Sequence, residues 1–137
     1  MKFQLNERLA KGGFDLGTHG ICRVLLKNNS HFSWFILVPE IDTEITEVHQ
    51  LSDEQYVSIN QTTRIVAKFI SKHFSPEKIN IGNIGNVVRQ MHIHVIGRTT
   101  TDPAWPGVVW ASSEKQTYKP ASALEIHSAY TKFLKNF

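Results

Sequence analysis

The run Gln90-Met91-His92-Ile93-His94-Val95-Ile96 constrains the fold more tightly than any other stretch of the chain. Successive side chains of a β-strand point to opposite faces, so Met91, Ile93 and Val95 share one face while Gln90, His92, His94 and Ile96 share the other. The first set is apolar and suits a core. The second places two imidazoles about 7 Å apart on one exposed strand face, backed by stiff β-branched anchors. Just upstream, Gly82-Asn83-Ile84-Gly85-Asn86 reads as a turn whose glycines let backbone N–H groups crowd around an anion. Imidazoles beside a phosphate cradle point to phosphoryl or nucleotidyl transfer. Taken alone, a His-x-His pair fits equally well with polar surface or with half of a metal site.

At 137 residues the sequence predicts a single domain, residues 1–137, long enough to bury a core without disulfides. Its one cysteine, Cys22, has no partner within the chain and reads as a small strand hydrophobe. A reducing cytoplasm is the expected compartment. No apolar run approaches the roughly 20 residues of a membrane helix, so no membrane partner is expected. A net charge of +3 fits an anionic small molecule. No Lys/Arg cluster of the kind a nucleic-acid groove requires is present, so no nucleic-acid polymer is expected as partner.

Along the chain, residues 3–12 read as a short helix ended by Gly12-Gly13, and Gly17-Thr18-His19-Gly20 as a loop with a solvated His19. Ile21 to Leu26 and Trp34 to Val38 form an antiparallel hairpin that stops at Pro39. Its polar loop contains Asn28 and Asn29, whose amides could bond a ribose hydroxyl or close an Asx turn. Ser52 with Gln55 makes a capping box for a long helix running to about His73. Tyr56, Ile59, Thr63, Val66, Ile70 and Phe74 form its buried stripe. Lys78 to Ile81 is a further strand, and Val87 to Arg98 the central one. Trp105 and Trp110, in and beside a proline-containing loop, read either as pocket caps or as interface residues. Pro120-Ala121-Ser122 opens a terminal helix with Leu124, His127, Tyr130 and Phe133 or Leu134 facing inward.

The segment from Gln90 to Ile96 resembles the histidine triad (HIT) motif, His-φ-His-φ-His-φ-φ, with Gln in the first place. The resemblance extends through Cys22-Arg23-Val24-Leu25-Leu26, Asn28-Asn29, Trp34-Phe35-Ile36-Leu37-Val38-Pro39, Leu51-Ser52-Asp53-Glu54, and Asp102-Pro103-Ala104-Trp105-Pro106-Gly107 with Trp110. It covers about residues 5 to 112 and is similar to one bacterial branch of the family. It implies an α+β fold, a HIT-like, mainly antiparallel five-stranded sheet with one long helix and a C-terminal helix, assembled as a homodimer. It also implies hydrolysis or transfer at the α-phosphate of a nucleotide, of the dinucleoside polyphosphate or nucleoside phosphoramidate class.

By the same resemblance His92 is the nucleophile that forms a covalent nucleotidyl-histidine, and His94 donates to a phosphate oxygen. Gln90 stands near the leaving group. Gly85 and Asn86 supply phosphate donors, and Asn28 and Asn29 contact the nucleotide's ribose. No metal and no cofactor is required. Neutral imidazole is a competent nucleophile near pH 7, and a covalent intermediate divides one hard displacement into two easier ones.

The chain departs from the pattern at Gln90, which cannot titrate. It departs again at Val87, where many members carry a hydroxyl, and at Trp34, where some carry histidine. These departures sustain the alternative of a nucleotide-binding protein with weak or no catalysis. A metal hydrolase built on His92 and His94 would need Asp102 or His31 as a third ligand.

Overall fold

The computed structural model describes residues 2–137. Five strands form one sheet: β1 (Gly13–His19), β2 (Cys22–Lys27), β3 (Ser33–Pro39), β4 (Lys78–Gly82) and β5 (Ile93–Arg98). Their order is β1-β2-β3-β5-β4, with every neighbouring pair antiparallel. Three helices, α1 (Glu7–Lys11), α2 (Asp53–Phe74) and α3 (Pro120–Leu134), complete an α+β fold. The connection from β4 to β5, residues 83–92, brings β5 back between β3 and β4, so the histidine strand is paired on both sides.

Helix α2 starts as its sequence demands. Ser52 Oγ accepts from the Gln55 N–H at 3.1 Å, and Gln55 Oε1 accepts from the Ser52 N–H at 2.9 Å, so the capping box is closed. Its inward stripe is Ile59, Thr62, Thr63, Val66, Phe69 and Ile70. With α3, this stripe covers one face of the sheet, against Val24, Leu26, Phe35, Leu37, Ile93 and Val95. The other face carries Leu25, Trp34, Ile36, Val38 and Ile96 under much thinner cover from Leu9 of α1 and from Val109. Met91, Ile93 and Val95 therefore do face the helices, as the alternation requires.

Four local expectations are corrected. Residues 17–19, read as loop, belong to edge strand β1, which pairs only with β2 and slips register between Asp15 and Thr18. Two glycines and a run of polar residues hide such a strand from periodicity. Val87 to Met91, read as strand, is irregular backbone, and β5 begins at Ile93. Tyr56 shares the helix face of Ile59 and Thr63 but is 52% exposed, because at the start of α2 that face borders an open groove with Val48 and Ile81 instead of the core. Leu124 is exposed too, since the inward residues of α3 are Ala123, Ile126 and Tyr130.

At the far end of β5, Arg98 is fully buried. Its guanidinium makes a two-bond pair with Asp102 at 2.7 and 3.1 Å and donates to Asn80 Oδ1 at 2.8 Å. It lies between the rings of Phe32 and Trp105, at 6.0 and 5.5 Å. Each of the three guanidinium nitrogens thus has an oxygen partner, and a buried charge paired and hydrogen-bonded in this way is tolerated. No helix among the described residues is long and apolar enough to cross a membrane.

Candidate active site

The entry to β5 sets the two imidazoles. His92 lies just before the strand and His94 is its second residue, opposite Ile36 of β3 and Gly82 of β4. The two rings meet edge to face, with centroids 4.9 Å apart. They are 6% and 7% exposed, so the open strand face expected from the alternation is in fact a covered one. Trp34 and Trp110 supply that cover around His94, at centroid distances of 5.6 and 5.5 Å. Gly82 makes this possible: a Cβ there would stand 2.9 Å from the Trp110 ring.

Hydrogen bonds choose a tautomer for each ring. His92 Nδ1 lies 2.7 Å from the Gln90 carbonyl oxygen. A carbonyl can only accept, so Nδ1 carries the proton and Nε2 presents a free lone pair. His94 Nδ1 instead receives the Trp34 indole N–H at 2.9 Å. Indole only donates, so His94 Nδ1 is bare and its neutral ring carries the proton on Nε2. One imidazole is thus set to attack and its neighbour to donate. Burial holds the His92 pKa below the usual histidine range. The Lys27 charge pushes the same way, and the bond to the Gln90 carbonyl opposes both. Burial, then the charges of His92 and Lys27, bring His94 down to about 4. Both rings are neutral at pH 7.

Both imidazoles open onto a cavity of about 450 Å³ whose wall includes Gly85, Asn86, Val87, Arg8, Lys27 and Trp110. Gly85 has φ +67°, a conformation side chains disfavour, and it turns the loop so that Asn86 follows beside His92. The structure therefore brings His92, His94, Gly85 and Asn86 together. It gives Gln90 a different occupation from the one the motif suggests. Gln90 Oε1 accepts from the Asn6 N–H at 2.8 Å and Nε2 donates to the Gln4 carbonyl at 2.9 Å. Both ends of the amide hold the segment leading into α1.

Asn28 and Asn29 line an adjoining cavity of about 470 Å³ that shares Lys27 and Trp110 with the first. Their amides tie down the extended segment after Trp110. Asn28 Oδ1 accepts from the Tyr118 N–H at 2.8 Å, and Asn29 Nδ2 donates to the Glu114 carbonyl at 2.9 Å. Asn29 Oδ1 also closes a local turn with the His31 N–H. Asp102, one possible third metal ligand, is engaged by Arg98. Of the tryptophans left open by sequence, Trp110 borders the histidines and Trp105 covers Arg98.

Sequence reasoning missed Lys27 and Arg8 in the pocket wall. Lys27 was within reach of alternation: it stands two residues after Leu25, which faces this side of the sheet. Arg8 sits on a five-residue helix whose placement depends on the Gln90 contacts, and no local pattern announces it. Cys22 is fully buried, and burial pushes its thiol up to about 12, consistent with an inert core residue.

Comparison with known proteins follows the same lines. A histidine triad protein from Sinorhizobium meliloti 1021 is 37% identical, with a TM-score of 0.91 over 95% of this chain and 96% of that one. A histidine triad protein from Marinobacter aquaeolei VT8 is 34% identical, with a TM-score of 0.91 over 98% and 97%. Another, from Bradyrhizobium japonicum, is 27% identical at the same TM-score over 95% and 96%. A search of the curated proteins gave no match. The HIT domain model matches residues 15–101, which contain β2 to β5 whole, β1 from Asp15 onward, and both His92 and His94. On that match and those two relatives above 30% identity, the chain belongs to the HIT family.

Proposed function

We propose that this chain is a HIT-type nucleotide hydrolase or transferase that works through a covalent nucleotidyl-His92. Family membership supports a HIT-type nucleotide-binding or hydrolase protein. The observation that carries the finer reading is the complementary pair of tautomers, His92 Nε2 bare and His94 Nε2 protonated, on one cavity wall. His92 Nε2 attacks the α-phosphorus and the bond to the leaving group breaks. His94 Nε2–H, with the backbone at Gly85 and Asn86, donates to the non-bridging oxygens; each such donor contributes about 3 kcal/mol. Water then attacks phosphorus, the electron pair of the P–N bond returns to the imidazole, and a proton passes to solvent.

In this reading Gln90, Asn28 and Asn29 position the walls of the site, the N-terminal segment and residues 114–118, instead of meeting substrate. The protein acts in the cytoplasm as a homodimer. Support for the dimer is an apolar face where edge strand β4 meets the start of α2, with Val48, Tyr56 and Ile81 each more than half exposed. A monomeric mass by light scattering would count against it.

The test of catalysis is intact-protein mass spectrometry after an acid quench with adenosine 5′-phosphoramidate or a diadenosine polyphosphate. The expected result is an added adenylate that His92→Ala lacks, together with product release by the native chain. Product formation undiminished in His92→Ala overturns the assignment. One observation favours a second reading, nucleotide binding without turnover: both ends of the Gln90 amide are bonded to backbone. Tight binding of a nucleoside monophosphate with neither adduct nor product would select it.

A further inference from the structure

Two cations stand in the wall of the histidine cavity without a carboxylate partner. None of the ion pairs among the described residues uses Lys27 or Arg8. Lys27 is half-buried at the end of β2, and it lines both the histidine cavity and the adjoining one, so it marks the passage between them. Its Nζ lies 5.5 Å over the ring of Trp34, the same indole that holds His94. Burial lowers the Lys27 pKa, and the like charge of Lys115 lowers it further, a strain that a bound anion would relieve. Arg8 reaches the same cavity because Gln90 clamps the segment entering α1.

The leaving group must match what the site can supply. An amine departs only with a proton, and the groups beside the phosphorus position have none to spare. Gln90 has both ends of its amide in backbone hydrogen bonds. His94 holds a single proton, on Nε2, directed to the phosphate oxygens, and is not an imidazolium at neutral pH. A phosphate whose second ionisation lies near pH 6 leaves as an anion without protonation and needs countercharge instead.

We propose that Lys27, with Arg8 at the rim, forms an anion subsite for a leaving group that is itself a phosphate, so that the substrate carries a phosphoanhydride at the attacked phosphorus. This rests on the nucleotidyl-His92 reading and deepens it. His92 Nε2 bonds to the α-phosphorus, the bridging P–O bond breaks with its electron pair going to the bridging oxygen, and the departing phosphate moves against Lys27. Hydrolysis of the adduct then releases the nucleoside monophosphate and one proton.

The experiment compares diadenosine triphosphate with adenosine 5′-phosphoramidate in the native chain, Lys27→Met and Lys27→Arg. The native chain should favour the phosphoanhydride. Lys27→Met should lose roughly 10- to 100-fold in kcat/KM on it, the size of one charge-assisted contact, with the phosphoramidate changed less than about threefold. Lys27→Arg should recover most of that loss, because arginine keeps the charge but gives up no proton. Equal losses on both substrates, or no recovery with arginine, overturn the subsite. Where the native chain cleaves neither substrate, the nucleotidyl-His92 reading itself has failed, and calorimetry still decides the subsite. Native protein should bind ADP more tightly than AMP, with the advantage lost in Lys27→Met. Equal binding of the two nucleotides by the native chain overturns it.

Discussion

The two faces of the sheet are built from the same strands by opposite means. Under α2 and α3, apolar side chains meet in an uninterrupted core: Phe69 alone touches the rings of Phe35, Phe74, Tyr130 and Phe133. On the histidine face no long helix packs. A five-residue helix and the stretch from residue 99 to 118 cover it, tied by the side chains of Gln90, Asn28, Asn29 and Arg98. Dispersion and area hold the first face, and directional polar bonds the second. A surface closed by a few directional bonds can leave cavities beside His92 that a close-packed core would fill.

Breaking each face should therefore give different signatures. Phe69→Ala should have the largest effect, about 3–5 kcal/mol off the unfolding free energy. Calorimetry should show it, while kcat/KM of the folded protein at low temperature stays near native. A large loss of activity at unchanged stability would erase the distinction between the faces.

Acid should act on the other side. The His94 pKa lies near 4 when folded against an ordinary value of 6.5, so the unfolded chain takes up its proton first as pH falls. Stability is then whole above about pH 6.5 and drains away between there and pH 4, by roughly 3 kcal/mol. Trp34, Trp105 and Trp110 are all the tryptophans of the chain and all cover the histidine side. Their fluorescence should change before the far-ultraviolet circular dichroism of the helices; the reverse order would contradict the expectation.

Trp34→Phe comes next. Without the indole donor, His94 should exchange between tautomers and accept a proton more readily. That should appear in ¹⁵N NMR of its ring as a shifted Nδ1 resonance, and the acid limb of the rate profile should move to higher pH. A loss of roughly 10- to 100-fold in kcat is expected, equal to about 1.4–2.7 kcal/mol. An unaltered pH profile would reduce Trp34 to a packing residue.

The smallest effect belongs to Asn28→Ala, which removes one hydrogen bond to the Tyr118 N–H and should lower stability by about 1 kcal/mol. Nucleotide affinity should change by less than about threefold. A loss of tenfold or more at constant stability would restore the ribose contact that the family resemblance suggested.

What the sequence disclosed, and what it did not, follows the same division. The scaffold face was open to reading because burial imposes a period: Ile93 and Val95 on the strand, and Ile59, Val66 and Ile70 on the helix, repeat at the intervals their backbones dictate. The capping box of α2 was equally visible, being a local device. Tyr56 was misplaced because an aromatic ring at helical spacing looks the same whether it faces a core or a solvent groove. On the histidine face the identity and order of His92 and His94 were legible, but their partners were not. Gln90 bonds residues 84 and 86 positions away, and Asn28 one 90 positions away. Trp34 reaches His94 across 60. No window of sequence contains such pairs, so an amide that closes a wall reads the same as one that touches substrate.

Arg98 bears on how the histidines come to face the right way at all. A strand that pairs one residue out of step presents every side chain on the wrong side. His92, His94, Ile96 and Arg98 are of one parity along β5, and the last is the one that cannot tolerate the error. Slipped by a residue, its guanidinium would leave Asp102 and Asn80 and enter the apolar layer beneath α2, an unmatched charge costing several kcal/mol. A misregistered β5 is thereby made unstable at the end of the strand farthest from the reaction, so the orientation of two neutral rings is enforced by a cation that never meets them.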